Sequence, residues 1–253
     1  MFMSKKIIEG SIELEKMYLE ELPEFLGEID EVHGSLYAGK NSFTNLKNSP
    51  RLIYGYFNVS RSSLKSLEGG PRIVKGSYDV SRNLLTSLVG SPDEVWSSYD
   101  CRYNTNLRSL EGCPQEMRRF DASFCDLRNL IGGPTALLAD YQNMSYYIVN
   151  DNKNLTSLEG APVRSYGTFS AYGCGLRDLR GAPEYVDYTF NVSENPLESL
   201  EGCPKVVNGN FICYPQGSEK DYSLQTFTEE QIRSVCKVSG SVKVRRDPIN
   251  LNI

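Results

Sequence analysis

Three aspartates, Asp79, Asp100 and Asp121, recur at intervals of 21 residues, each between two mostly apolar residues spaced two apart. Apolar residues with that spacing mark a short β-strand with one buried face, so the residue between them is aimed at solvent from the opposite face. Carboxylates stacked about 5 Å apart on neighbouring strands disfavour one another and attract cations. Lys40, Arg61, Arg82 and Arg102 fall one or two residues beyond the buried pair, within reach of the carboxylates. Two readings stay open: a self-neutralising ladder that solubilises the face, or a charged strip that meets basic groups on a partner. Further along, Tyr146, Ile148, Tyr172, Ile212 and Tyr214 give the same face an aromatic and aliphatic end. Tyrosines on a rigid surface add contact area at little entropic cost. β-Propensity alone also favours Tyr and Ile in strands, so this feature too has a bland explanation.

Other chemistry fares worse. His33 is the sole imidazole, beside Val32 and Gly34, and no nucleophile or orienting carboxylate is placed near it by the sequence. Gly34-x-x-x-x-Gly39-Lys40-Asn41 approaches a phosphate loop. Asn41, however, stands where a hydroxyl must reach the metal, and the two glycines straddle a strand. The seven cysteines include no Cys-x-x-Cys pair. Cys113 and Cys203 share one repeat slot, Cys101 and Cys213 a second, Cys125 and Cys174 a third, and Cys236 stands outside. They read as buried, reduced thiols packing as small hydrophobes. Val242-Lys243-Val244-Arg245-Arg246 is a basic run whose simplest role is to block pairing at an exposed edge. No acid–base pair or metal set can be assembled, so the chain reads as no enzyme, with no cofactor and no metal.

The elements that must position these residues come from a repeat. Leu155 to Pro162, Leu-x-x-Leu-x-Gly-x-Pro, recurs at Leu64–Pro71, Leu85–Pro92, Leu107–Pro114, Leu127–Pro134, Leu176–Pro183 and Leu197–Pro204, with a degenerate copy at Phe43–Pro50. The closing prolines are 21, 21, 22, 20, 28, 21 and 21 residues apart. A fixed period of this size is the signature of a solenoid. The fuller unit is Val-x-Gly-x-Phe-x-Val-Ser-x-Asn-x-Leu-x-Ser-Leu-x-Gly-x-Pro, clearest at Val74–Pro92. Its aromatic slot holds Phe57, Tyr78, Tyr99, Phe120, Tyr147, Phe169, Phe190 and Phe211. One strand per turn would stack on the same strand of the next turn, giving a parallel sheet. The leucines fill the interior, and the glycines supply a positive-φ corner that Asn48 can replace. The prolines set φ as the chain crosses back to the next strand. Asn41, Asn83, Asn104, Asn152 and Asn195, with Cys125 and Cys174 as substitutes, would bond the backbone of the next turn.

These slots resemble the leucine-rich repeat, with Tyr78, Val80, Asn83 and Leu85 in defining positions and Val74 one residue off. The short period is similar to the leucine-rich repeats of secreted bacterial effectors. The Ser-Leu-Glu-Gly-x-Pro phrase looks closer to repeat proteins encoded by large tailed bacteriophages. The resemblance covers roughly Ile7 to Tyr214. It implies a curved, right-handed repeat solenoid, mainly β, with a leucine-rich-repeat-like parallel sheet of about ten short strands. It implies little about function beyond a host-directed role.

Departures from the period set the expected boundaries. Residues 1–31 read as an amino-terminal cap and first turn, with one helical turn near Glu24–Ile29. Residues 32–214 form the solenoid, with about seven residues inserted around 135–145. Residues 215–253 would cap the far end with a short helix, Thr228 to Val235, and a last strand within Ser241 to Arg246. In that helix Thr228 is the N-cap, and Ile232 and Val235 face inward. A net charge of −5, from 27 basic and 32 acidic residues, weighs against nucleic acid. No apolar run approaches a membrane span and the amino end is no signal peptide, so a cytoplasmic location is expected, that of the host if phage-encoded. The expected function is a non-enzymatic protein-binding module acting through the concave face, directed at a bacterial host protein. A structural, virion-associated role and sequestration of a small ligand such as a nucleotide are the alternatives.

Overall fold

The computed structural model describes residues 6–138, 145–217 and 225–245. The chain winds as a β-solenoid of about ten turns, built almost wholly from two-to-three-residue parallel strands. Each turn contributes two strands, not one. They are Ile7–Ile8 (β1) and Ile12–Glu13 (β2), Glu31–Val32 (β3) and Leu36–Tyr37 (β4), Leu52–Ile53 (β5) and Phe57–Asn58 (β6), and Ile73–Val74 (β7) and Tyr78–Asp79 (β8). Glu94–Val95 (β9) and Ser98–Asp100 (β10), Glu116–Met117 (β11) and Arg119–Asp121 (β12), and Ala136–Leu137 (β13) and Tyr146–Ile148 (β14) follow. The series ends with Arg164–Ser165 (β15) and Thr168–Ser170 (β16), Tyr185–Val186 (β17) and Phe190–Asn191 (β18), Val206–Val207 (β19) and Phe211–Ile212 (β20), and Lys237–Val238 (β21) and Val242–Lys243 (β22).

The even-numbered strands make one sheet of eleven. The odd-numbered strands make a second strip, broken into sheets of five, two and four. Val74 is therefore not a misplaced first position of a leucine-rich repeat; it ends a separate strand, β7. In six turns the corner between the two strands holds a glycine pinned against the turn before, Gly34, Gly55, Gly76, Gly167, Gly209 and Gly240, whereas Ser97, Arg118 and Tyr188 stand there in others. A Cβ on Gly76 would lie 2.2 Å from the Gly55 carbonyl oxygen, so no larger residue fits without moving backbone.

The interior follows from the slots. Phe57, Tyr78, Tyr99, Phe120, Tyr147, Phe169, Phe190 and Phe211 form an unbroken buried column, with ring centroids 5.0 to 6.1 Å apart. The leucine pairs lie beneath it, Leu110 and Leu158 among them with no exposed surface. Gly90 takes φ +90° at the Gly-x-Pro corner, and Asn48 takes φ +69° in the turn that lacks the glycine, as its tolerance of the left-handed region allows.

The asparagines are buried but reach backward. Asn83 Nδ2 donates to the Val59 and Val80 carbonyls at 3.1 and 3.0 Å, and its Oδ1 accepts from Leu64 N–H at 3.1 Å. Val59 and Leu64 belong to the preceding turn, so the expected bond to the next turn is reversed. Cys125 and Cys174 substitute weakly, donating to Cys101 and Val149 carbonyls at 3.5 and 3.3 Å. The cysteines of the described residues are unpaired, and all but Cys203 are buried.

Two boundary expectations change. Thr135–Leu138 is regular, since β13 pairs in register with β11. Relative to the period, six of the seven extra residues are 139–144, and these lie outside the described residues, Tyr141, Asn143 and Met144 with them. The seventh falls between Asn152 and Leu155, a lengthening shared with Asn104–Leu107. Near the carboxyl end a helix, Glu229–Val235 (α1), starts on a capping box in which Thr228 and Gln231 exchange side-chain and backbone bonds. Ile232 is buried, whereas Val235 is 52% exposed. Cys236, four residues after Ile232, takes the inner position that Val235 was expected to fill. The last strand, β22, joins the main sheet beside β20 as its eleventh member. A 3-10 turn occupies Glu24–Glu28, where one helical turn was expected.

Candidate binding site on the sheet face

On the main sheet, Asp79, Asp100 and Asp121 sit opposite one another in register on β8, β10 and β12. The slot has a local task first. Its side-chain oxygen accepts the N–H two residues on: Ser81 to Asp79 at 3.0 Å, Arg102 to Asp100 at 3.1 Å and Ser123 to Asp121 at 3.0 Å. Asn58 and Asn191 hold the same bond in the same slot, at 2.9 and 3.2 Å, without a charge. The turn geometry, an Asx-type closure, therefore needs the oxygen and not the negative charge.

The charges are only partly answered from within. Arg102 lies 3.0 Å from Asp100 and 3.7 Å from Asp121. The Tyr56 hydroxyl donates to Asp79 at 2.7 Å. Arg82 does not join them: its backbone is left-handed, at φ 54°, and its guanidinium lies 3.9 Å from the Tyr103 ring centroid. Lys40 also turns away, to Glu15 at 2.7 Å. Burial raises the Asp100 carboxyl to about 7, helped by the Asp79 charge and opposed by Arg102. Burial and the neighbouring Asp79 carboxylate likewise push the Tyr56 phenol well above its ordinary value.

Tyr146 belongs with this cluster. Tyr56, Ser77, Asp79, Ser98, Asp100 and Tyr146 line one open hollow of about 330 Å³, and the Arg119 guanidinium lies 5.2 Å from the Tyr146 ring centroid. The remaining aromatic and aliphatic residues do not form the continuous end expected of them. In register, Ser170 and Asn191 separate Ile148 from Ile212. Tyr172 and Tyr214 follow β16 and β20, with the β18 turn and its Ser193 between them. All four of these residues are half-buried.

Two neighbouring ladders escaped the sequence reading although the 21-residue period carries both. Tyr103 and Phe124 stack at 4.5 Å with Arg82 over the first ring. On the other strip His33, Tyr54, Lys75 and Trp96 follow one another: His33 meets Tyr54 at 4.6 Å, and Lys75 lies 3.9 Å from Tyr54 and 5.3 Å from Trp96. His33 is also placed between Glu9 and Glu31, at 3.1 and 3.3 Å. Among the described residues no group of three metal-ligating side chains forms a metal site, and no helix is long and apolar enough to cross a membrane. No protein-family model, no curated protein and no solved structure matches the chain.

Proposed function

We propose that the chain is a non-enzymatic protein-binding module whose main sheet receives a lysine- or arginine-bearing segment of a partner protein. Asp79, Asp100 and Asp121 meet the cationic groups, and Tyr56 and Tyr146 flank them as contact surfaces. The observation that carries this reading is the pair Asn58 and Asn191, which do the slot's structural work without charge. Three consecutive carboxylates are therefore more than the fold requires. The acidic lining weighs against a phosphate-bearing ligand in the same hollow.

The leucine-rich-repeat resemblance supports a binding role on a repeat scaffold, and the Ser-Leu-Glu-Gly-x-Pro phrase supports a bacteriophage protein directed at a bacterial host protein in the host cytoplasm. The helix α1 acts as the carboxyl-terminal cap over the core of the array through Ile232 and Cys236, while the strands after it continue the two sheets.

The test is capture of partners from bacterial lysate with wild type and with the triple variant Asp79→Asn, Asp100→Asn, Asp121→Asn. Asparagine keeps the backbone bond and removes the charge, so the melting temperature should hold or rise while capture is lost. Unchanged capture by the folded variant assigns recognition elsewhere.

A further inference from the structure

The two ends of the solenoid are the same turn with opposite charge. Ile8-Glu9-Gly10-Ser11-Ile12-Glu13-Leu14-Glu15 and Val238-Ser239-Gly240-Ser241-Val242-Lys243-Val244-Arg245 align slot for slot, with the glycine corner and the alternating apolar residues in common. Glutamates at 13 and 15 stand where lysine and arginine stand at 243 and 245, and all four are exposed. Between Lys6 and Glu28 the chain has seven glutamates and two lysines. Between Glu229 and Arg245 it has four basic residues and two glutamates. The two ends therefore carry opposite net charge.

Among the described residues both ends are edges of the same sheets. β1 and β2 are terminal at one end, and β21 and β22 at the other. Along the main sheet each strand donates onward: Phe57 N–H to Ser77 O at 2.9 Å, Phe211 N–H to Ser241 O at 2.9 Å and Cys213 N–H to Lys243 O at 2.9 Å. The same alternation aims the N–H groups of Val242 and Val244 out of the last strand. At the first strand, Ile12 and Leu14 N–H groups are spent on Ser35 and Tyr37, which leaves the Ser11 and Glu13 carbonyls facing outward. Ile7, Met17, Tyr18 and Phe25 expose apolar surface at that end, at 42, 53, 87 and 54%.

We propose that copies of this chain stack head to tail, the β21–β22 end of one on the β1–β2 end of the next, so that both strips run on across the junction. Val242 and Val244 donate to Ser11 and Glu13 of the next copy, Lys243 falls opposite Glu13, and Arg245 falls opposite Glu15. Glu15 already pairs with Lys40 at 2.7 Å, Arg245 with Gln225 at 2.7 Å, and Lys243 has an interaction within its own chain, but exposed contacts of this kind are weak and re-form across the junction. The junction joins two different surfaces, so it is not self-complementary, and copies add in series and not as a closed pair. This goes beyond the partner-binding face, whose aspartates it leaves uncovered.

Sedimentation of the full chain, free of tags, across a range of concentration tests it. Wild type should grow in mass with concentration at low salt and less so at high salt. The variants Glu13→Lys/Glu15→Lys and Lys243→Glu/Arg245→Glu should each associate at least about tenfold more weakly, because each brings like charges together. Mixed in equal amounts, they should associate again, since every junction between unlike variants is complementary. Where a reversal lowers the melting temperature, Glu13→Gln with Glu15→Gln reads the loss without adding charge. A wild type that stays monomeric, a series that stops at two copies, or a mixture that remains dispersed overturns the proposal.

Discussion

The Arg102 guanidinium lies 3.0 Å from Asp100 and 3.7 Å from Asp121, so one cation serves two of three stacked carboxylates. Asp100, in the middle and only 20% exposed at its side chain, bears the cost. Its carboxyl is raised to about 7 by burial first and by Asp79 second. A raised acid holds its proton more tightly in the folded chain than in the unfolded one. Its contribution to stability is complete below about pH 4 and lost as pH rises through 7. Asp100→Asn should therefore match wild type at pH 4 and exceed it at pH 8 by about 2 kcal/mol, discounted for the remaining exposure. Urea midpoints at the two pH values read the difference.

The same proton links binding to pH. A cationic segment docking at Asp100 favours the ionised carboxylate, so binding releases a proton near neutrality. Affinity for a lysine- or arginine-rich peptide should rise by up to about tenfold from pH 6 to pH 8, and Asp100→Asn should flatten that slope. Calorimetry in buffers of different ionisation heat counts the protons released. A slope that persists in the Asp100→Asn variant assigns the linkage to another group.

What the sequence made legible follows the period. Tyr78, Leu85, Gly90 and Pro92 repeat every turn, so their slots and the parallel stacking could be read directly. The second strand could not, because Ile73–Val74 is two residues long and shows no alternation that a pattern can register. Arg82 illustrates a different limit. Its distance along the chain put it near Asp79, but a left-handed backbone, at φ 54°, turned it toward Tyr103. Lys40, Arg61, Tyr103 and Phe124 share that conformation, which non-glycine residues rarely reveal in sequence. Tyr146 reads by residue type as part of an aromatic and aliphatic end, and only the register of β14 against β12, and of β12 against β10, brings it to the aspartates.

Within the aromatic column, three tyrosines differ in one atom's surroundings. The Tyr99 hydroxyl meets Ser91 Oγ at 2.8 Å, whereas the buried Tyr78 and Tyr147 hydroxyls meet no described partner. A buried hydroxyl without a bond costs about 1–3 kcal/mol of desolvation. Tyr78→Phe and Tyr147→Phe should therefore be neutral or stabilising by up to about 1 kcal/mol, and Tyr99→Phe destabilising by about 1 kcal/mol. Thermal melts of the three single variants rank them, and a large loss at Tyr78 or Tyr147 points to a buried water on that hydroxyl.

Leu110 and Leu158 test the array itself. Both are fully buried in the interior beneath the aromatic column, two turns apart. Truncation to alanine removes packed surface and leaves a cavity that stacked turns cannot close, at a cost of about 2–5 kcal/mol for either. In a solenoid each turn is held mainly by its two neighbours, so the loss should spread to adjacent turns and not stay local. Hydrogen exchange in the Leu110→Ala variant should show faster exchange at β10, β12 and β14 than at β2 and β4. Uniform protection across all these strands, with an unchanged melting temperature, means that the turns are not coupled through these leucines.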